Sequence, residues 1–334
     1  MKKRLLLWIG AAVSLVLLWL TLRDIDFGKL GGQLARANYG WLIPALAFHL
    51  SFVATRSERW RVLMGRDKVK FGDAFWVTNI GYLISNVVPL RIGDAARAVL
   101  IDRRCRVGIH RAFSTVVVER ILDMLTILLE LALLIPFMQL PPQALGWVHV
   151  FGALSLAAVL VIAVLLAQRQ WTERMLTAVL ARLPGVAPDP WMGRWRNLIS
   201  GFDALSSPRS VLIVIGWSLV TWTMMTGIFW ALLQAFFPGA SPVPAAFLVC
   251  AEAFGWVVPA SPGNWGVFDK IAREALVGPF GYPLEPAVGY ALVTHFFSYL
   301  VANILGAIGL MRYSLSLGEI SAQAQKATAS GEGT

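Results

Sequence analysis

The run STVVVERILDMLTILLE, residues 114–130, sets Glu119, Arg120, Asp123 and Glu130 into an otherwise apolar stretch. On a helix, Asp123 falls about 40° from Glu119, Thr126 about −20° and Glu130 about 20°. That is one polar stripe down one face, with Arg120 beside it. Pointed at lipid it would be costly, so it faces the protein interior. An ionisable residue inside a bilayer is a functional hypothesis by default. Two roles stand open: contact with a substrate, or a structural network in which Arg120 neutralises Glu119 and Asp123 and locks two helices.

A second set of chemistry-bearing residues sits on an element that occurs twice. NVVPLRIGDAARA covers 86–98 and WVVPASPGNWGVF covers 256–268. With an offset of 170, Val87, Val88, Pro89 and Gly93 fall on Val257, Val258, Pro259 and Gly263, and Asp94 falls on Asn264. The first copy brings Arg91, Asp94 and Arg97. Asp94 and Arg97, at i and i+3, pair on one helix face, or Asp94 caps the helix. The second copy brings Ser261, Gly263 and Asn264 ahead of an apparent helix from Trp265, then Asp269. A helix starting inside the membrane presents free N–H groups and a positive dipole end, suited to a phosphate. Glu252, Lys270 and Arg273 flank it, and Lys270 and Arg273 also suit simple pairing with Asp269 and Glu274. His295, in the last apolar span, reads as a buried, hydrogen-bonded histidine rather than a proton relay.

These residues need elements to hold them, and composition says which kind. The chain has 334 residues, 57% hydrophobic and only 14% charged, against about a quarter charged in soluble domains. It reads as an all-α, polytopic helical membrane protein, and its 14 Trp fit interfacial belts. A net charge of +10 would suggest nucleic acid in a soluble protein. Here Lys and Arg lie between apolar spans, so they report topology and contact with anionic lipid, and no nucleic-acid partner is expected. Two cysteines and four scattered histidines give no disulfide framework and no metal-ligand spacing. No P-loop, GxGxxG or GxSxG occurs, so no cofactor is expected and the chain reads as a non-enzyme.

Full spans are expected at 5–21, 41–55, 113–138, 146–167, 211–236 and 287–311. The loops from Arg56 to Lys70 and from Asp102 to Arg111 are rich in Arg and read as cytoplasmic. The apolar stretch between them must leave and return on one side, as a re-entrant hairpin over 74–101 tipped near Pro89. Uncharged 139–145 and 237–242 read as external, and arginine-rich 168–210 as internal. One crossing at 287–311 then places the tail inside only if 243–277 is a second hairpin, entering from outside. One VVP element per face is the arrangement of an inverted repeat with a midplane site.

The chain therefore divides into a first helix and outer linker (1–40), a first membrane half (41–167), a cytoplasmic connector (168–210), a second membrane half (211–312) and a disordered cytoplasmic tail (313–334). MKKR before Leu5–Leu20 resembles a signal peptide, but TLRDIDF follows without a small-residue cleavage site, so it reads as a retained helix. In the connector, Trp171, Met175, Leu176, Val179, Leu180 and Leu183, and then Trp191, Trp195, Leu198, Phe202 and Leu205, recur at helical spacing with arginines between. They suit helices lying on the inner leaflet or packed on loops.

Four pieces together resemble the lysylphosphatidylglycerol synthase transmembrane region family, also called flippase-like membrane proteins. They are RSERWRVLMG at 56–65; N-x-x-P-x-R-x-G-D-x-x-R on Asn86, Pro89, Arg91, Gly93, Asp94 and Arg97; ER-x-x-D on Glu119, Arg120 and Asp123; and PASPGNWGVFD at 259–269. The resemblance covers about 40–312. It implies handling or translocation of lipid head groups. The soluble aminoacyl-transferase domain of some members has no counterpart here, so synthase activity is not carried over. His295 stands where many relatives are expected to have Arg.

The expected function is translocation of a phospholipid or polyprenyl-phosphate-type head group across a bacterial-type inner membrane, with both termini cytoplasmic. Arg91, Arg97 and the helix start at Asn264 bind phosphate, while Glu119 and Asp123 hold Arg120 or relay a proton. The alternatives are an ion- or proton-coupled small-anion transporter, or a membrane partner of a lipid-modifying glycosyl- or aminoacyl-transferase.

Overall fold

The computed structural model describes residues 2–88, 92–137, 169–180, 191–193, 195, 207–255 and 261–320. Among them every regular element is helical. The tip residues Pro89 to Arg91, the second VVP tripeptide and the expected span 146–167 lie outside the described residues.

Helix α1 is Lys2–Leu22 and α2 is Phe27–Arg36, capped by Asp26, whose carboxylate accepts from Gly28 N and Lys29 N. Then come α3 (Leu42–Met64), α4 (Phe71–Val87), α5 (Gly93–Cys105) and α6 (Ile109–Leu134). A connector helix, α7, spans Arg169–Leu180. The second half holds α8 (Pro208–Phe236), α9 (Val243–Gly255), α10 (Val267–Phe280) and α11 (Leu284–Tyr313).

Length sorts these helices. At 1.5 Å per residue, α3, α6, α8 and α11 run about 35–45 Å, and α4, α5, α9 and α10 about 20–26 Å. A hydrocarbon core of about 30 Å needs the longer kind. The order long, short, short, long occurs twice. The residue offset of the sequence duplication, 170, carries α3 onto α8, α4 onto α9 and α5 onto the start of α10.

Packing repeats with the order. Within each half the first long helix packs on the first short one, the two short ones pack together, and the second short one packs on the last long helix. Between the halves, α3 lies against α8, α4 against α11 and α6 against α9. The α3–α8 pair is antiparallel. Trp41 meets Trp230 with ring centroids 5.9 Å apart, Thr221 donates to Thr55 at 3.2 Å, and Arg59 donates to Ser218 at 3.1 Å. The α4–α11 contact is close because Gly306 and Gly309 of α11 face Leu83, Asn79 and Ile80, where a Cβ would clash. The α6–α9 contact joins Ile127 and Leu134 to Ala246 and Cys250.

Among the described residues, only α8 and α11 are both long and apolar enough to read as spans by hydropathy alone. The expected spans at 41–55 and 113–138 are helical too, but α3 and α6 carry the charges described below. The first of these spans ends later than expected. Helix α3 continues to Met64, so Arg56 and Arg59 are not loop residues: both are buried.

Helix α1 docks on α10. Ser14 donates to Ser261 Oγ at 2.8 Å and accepts from Ser261 N at 2.9 Å, while Arg273 donates to the carbonyls of Leu20 and Thr21 at 2.6 and 3.0 Å. Trp171 and Met175 of α7 are about half exposed. Residues 313–320, expected to be disordered, are not: Leu315, Leu317 and buried Ile320 pack against the core of the first half, and 321–334 lie outside the described residues.

Candidate ligand site within the helix bundle

The stripe on α6 meets α3 and α5 in one buried ion cluster. Glu119 is fully buried, with its Oε1 2.6 Å from Arg56 and 3.5 Å from Arg59, and its Oε2 2.8 Å from Arg97. Asp123 lies 2.6 Å from Arg59 and 2.8 Å from Arg56, and accepts from the Trp222 indole at 3.3 Å. Arg97 stacks on Trp60, 4.2 Å from the ring centroid, and Trp60 donates to Thr115 at 3.1 Å. A charged pair held in low dielectric with satisfied hydrogen bonds has well-defined geometry, and loss of one partner leaves a costly orphan.

Arg120 and Asp94 form the rim of this cluster. Arg120 grips Asp94 through three hydrogen bonds of 2.7–3.0 Å. It lies 3.6 Å from Asp123. Asp94 also takes a long contact, 3.4 Å, from Arg97. The Arg120 and Asp94 side chains are 31% and 37% exposed, whereas those of Arg56, Arg59, Arg97, Glu119 and Asp123 are at most 6% exposed. The cluster therefore has a closed interior and one open edge.

Helix α5 reaches the cluster because glycine lets it. A Cβ on Gly93 would overlap the Gly81 carbonyl and the Ser85 hydroxyl of α4. No side chain caps α5, whose N-cap is Ile92. Asp94 is in the first turn, turned to Arg120 instead of capping. Arg91 lies outside the described residues. Glu130, at the far end of the stripe, accepts from Thr226 at 2.7 Å and stands apart from the cluster.

The second half places its predicted residues in a separate group. Asp269 is fully buried. It accepts from Gly266 N at 2.9 Å and lies 3.1 Å from His295 Nδ1. The Nε2 of His295 is 2.7 Å from the Gly263 carbonyl. The imidazole sits between Trp265 and Phe268, at centroid distances of 4.2 and 4.9 Å. It is the buried, hydrogen-bonded histidine expected. The helix does not begin at Trp265, however. A 3₁₀ turn covers Pro262–Asn264, and α10 starts at Val267 after Gly266, which has φ 80°. The Gly266 N–H at that helix start is already bonded to Asp269, and the Ser261 N–H ahead of the turn to Ser14. Lys270 pairs with Glu274 at 2.7 Å, as the simpler reading had it. The 3₁₀ turn packs on α4, so this group touches the first hairpin.

Sequence reading missed Arg56 and Arg59. The signal was present: RSERW puts both, with Trp60, on the face that continues Phe52 and Val53. Among the described residues no His, Cys, Asp and Glu group suits a metal ion.

Among the described residues, long and short helices enclose a buried ion cluster in an all-helical fold. The chain belongs to the lysylphosphatidylglycerol synthase TM region family, whose model matches residues 7–306. Neither the curated proteins nor the solved structures contain a significant match.

Proposed function

We propose that this protein moves a phosphate-bearing lipid head group across a bacterial-type inner membrane, with its termini in the cytoplasm, and that it is not an enzyme. The family ties the chain to lipid handling. The observation that carries the reading further is the ion cluster, which puts guanidinium groups inside the bundle and opens at Arg120 and Asp94. Ionisable groups at such depth mark substrate or ion pathways.

In this reading α4–α5 and α9–α10 are re-entrant hairpins of an inverted repeat. Their short arms, the antiparallel α3–α8 pair and the exchange-related packing of α4 on α11 and α6 on α9 support it. Arg120, at the open edge, takes the phosphate together with Arg91. Arg97, Glu119 and Asp123, with Arg56 and Arg59, hold Arg120 in place. Ser261, Gly263, Asn264 and Asp269 shape the second hairpin's tip, with Asp269 committed to His295. The acyl chains stay in the bilayer.

Purified protein in liposomes should accelerate exchange of a fluorescent phospholipid between leaflets without ATP, and Arg120→Gln should abolish most of that acceleration. Absence of exchange for anionic, zwitterionic and aminoacylated lipids, with and without a proton gradient, would overturn the reading.

A further inference from the structure

We infer that the protein carries a second anion site, apart from the ion cluster: a basic cavity at one end of the bundle that takes a ligand with more than one phosphate charge. The inference stands independently of the transport reading.

The cavity, of about 530 Å³, lies between the α3–α4 turn and the end of α5, and is lined by Lys68, Lys70, Asp73, Arg103, Arg104 and Cys105. The sequence builds it from two loops. Gly65, with φ 99°, turns the chain out of α3, and the Lys68 N–H closes the turn on the Gly65 carbonyl at 3.0 Å. Val69 is then buried in the core of the first half. Anchoring Val69 leaves its neighbours Lys68 and Lys70 exposed. Arg103 and Arg104 come from the last turn of α5, where basic residues complement the negative end of the helix.

The only carboxylate lining the cavity is already engaged. Asp73 pairs with Arg104 and accepts from the Tyr313 hydroxyl at 2.9 Å, and the Arg104 guanidinium lies 3.8 Å from the Tyr313 ring centroid. Helix α11 thereby fixes one wall. Lys68, Lys70 and Arg103 have no ion-pair partner among the described residues. Four cations against one carboxylate leave the lining an excess of three positive charges. Topology asks only that such residues lie on the cytoplasmic side. It does not ask that two loops bring them to one cavity around a carboxylate held from a third helix. Basic pockets between helices on this side suit anionic lipid head groups. A single phosphodiester would meet one of the three charges, whereas two linked phosphates meet two or more. A lipid with two phosphates in its head group and a soluble diphosphate share that chemistry.

The test is displacement of a fluorescent cardiolipin from the purified full chain in neutral detergent, followed by anisotropy. The competitors are unlabelled cardiolipin, phosphatidylglycerol and inorganic pyrophosphate. Cardiolipin, with two phosphodiesters, is expected to bind about tenfold tighter than phosphatidylglycerol, with one. Lys70→Gln and Arg103→Gln should each weaken cardiolipin binding about fivefold, and Arg103→Lys should keep most of it. Arg106→Gln removes the same charge from the same loop outside the cavity, and should change binding less than about twofold. Displacement by cardiolipin and not by pyrophosphate would uphold the site and assign it a lipid. Displacement by pyrophosphate as strong as by cardiolipin would uphold it and assign it a soluble diphosphate. Equal affinity for the two lipids, or equal losses in Arg103→Gln and Arg106→Gln, would overturn the inference by reducing the cavity to diffuse surface charge. None of these residues belongs to the ion cluster, so that result leaves the transport reading standing.

Discussion

His295 and Asp269 face each other between α11 and α10, with the imidazole Nδ1 3.1 Å from one carboxylate oxygen and 3.2 Å from the other. The opposite ring nitrogen meets the Gly263 carbonyl. A charged imidazole would satisfy an Asp269 carboxylate and the Gly263 carbonyl together, since it donates from both ring nitrogens. The first half has a counterpart in Arg97 and Glu119 at 2.8 Å. There the cation sits on the short helix and the anion on the long one. In the second half the signs are exchanged. Each second short helix is thus fastened to the following long helix by a charged contact, and Arg120–Asp94 adds another in the first half.

The His295–Asp269 pair gives a first prediction, made for a charged imidazole. His295→Arg should preserve folding, and His295→Leu should lower stability by about 3–5 kcal/mol, the cost of stranding a buried charge. Thermal unfolding in detergent measures both. The double variant His295→Leu with Asp269→Leu should recover part of the loss, since no orphan charge remains. A His295→Leu protein as stable as wild type would show that Asp269 is not held by charge.

Glu119 should behave as the keystone of the larger cluster. Glu119→Gln leaves Arg56 and Arg59 with Asp123 alone and Arg97 with only its 3.4 Å contact to Asp94, and should cost about 3–5 kcal/mol. Glu285→Gln, in the first turn of α11 with no ion-pair partner among the described residues, should change stability by less than about 1 kcal/mol. Yield of monodisperse protein and the midpoint of unfolding decide between them.

Gly93 offers a test of packing without charge. A methyl group there must displace the α4 backbone at Gly81, and overpacking of this kind costs about 1–3 kcal/mol. Gly93→Ala should lower the unfolding midpoint. Gly278→Ala, where a Cβ meets open space, should not.

Topology is tested by single cysteines on a background lacking Cys105 and Cys250. His110→Cys should react with an impermeant reagent only from the cytoplasmic side, and Ser241→Cys and Pro283→Cys only from outside. Labelling of Pro283→Cys from inside alone would make the second hairpin a full crossing and remove the inverted repeat.

The native thiols predict a pH profile. Burial pushes the Cys105 thiol up, with Asp73 adding to the effect. Because the thiolate is the reactive form, its alkylation should be slow near neutral pH and keep accelerating as pH rises. Cys250 is 1% exposed and should stay silent until the protein unfolds. A Cys105 rate already at its plateau at pH 7 would contradict the burial.

The sequence made the polar stripe, the short hairpin arms and the pairing of Lys270 with Glu274 readable, because each is local or periodic. Arg56 and Arg59 escaped because an arginine near a span's end counts as a topology marker until its burial is seen. The partner of Arg120 escaped for a related reason. Glu119 and Asp123 are its neighbours in sequence, but Asp94 is its neighbour across helices. The start of α10 was misplaced by two residues, since periodicity cannot register the positive φ of Gly266 that resets the chain.

Each outer long helix serves both hairpins. Helix α11 holds His295 against α10 and seats α4 on Gly306 and Gly309; α6 holds Glu119 against α5 and seats α9 near Ile127 and Cys250. Neither hairpin can shift without disturbing a helix on which the other leans. A ligand that shifted one hairpin would disturb the other, and thermodynamic linkage would make any such bias in binding mutual and equal in size. The two halves share their supports, α6 and α11.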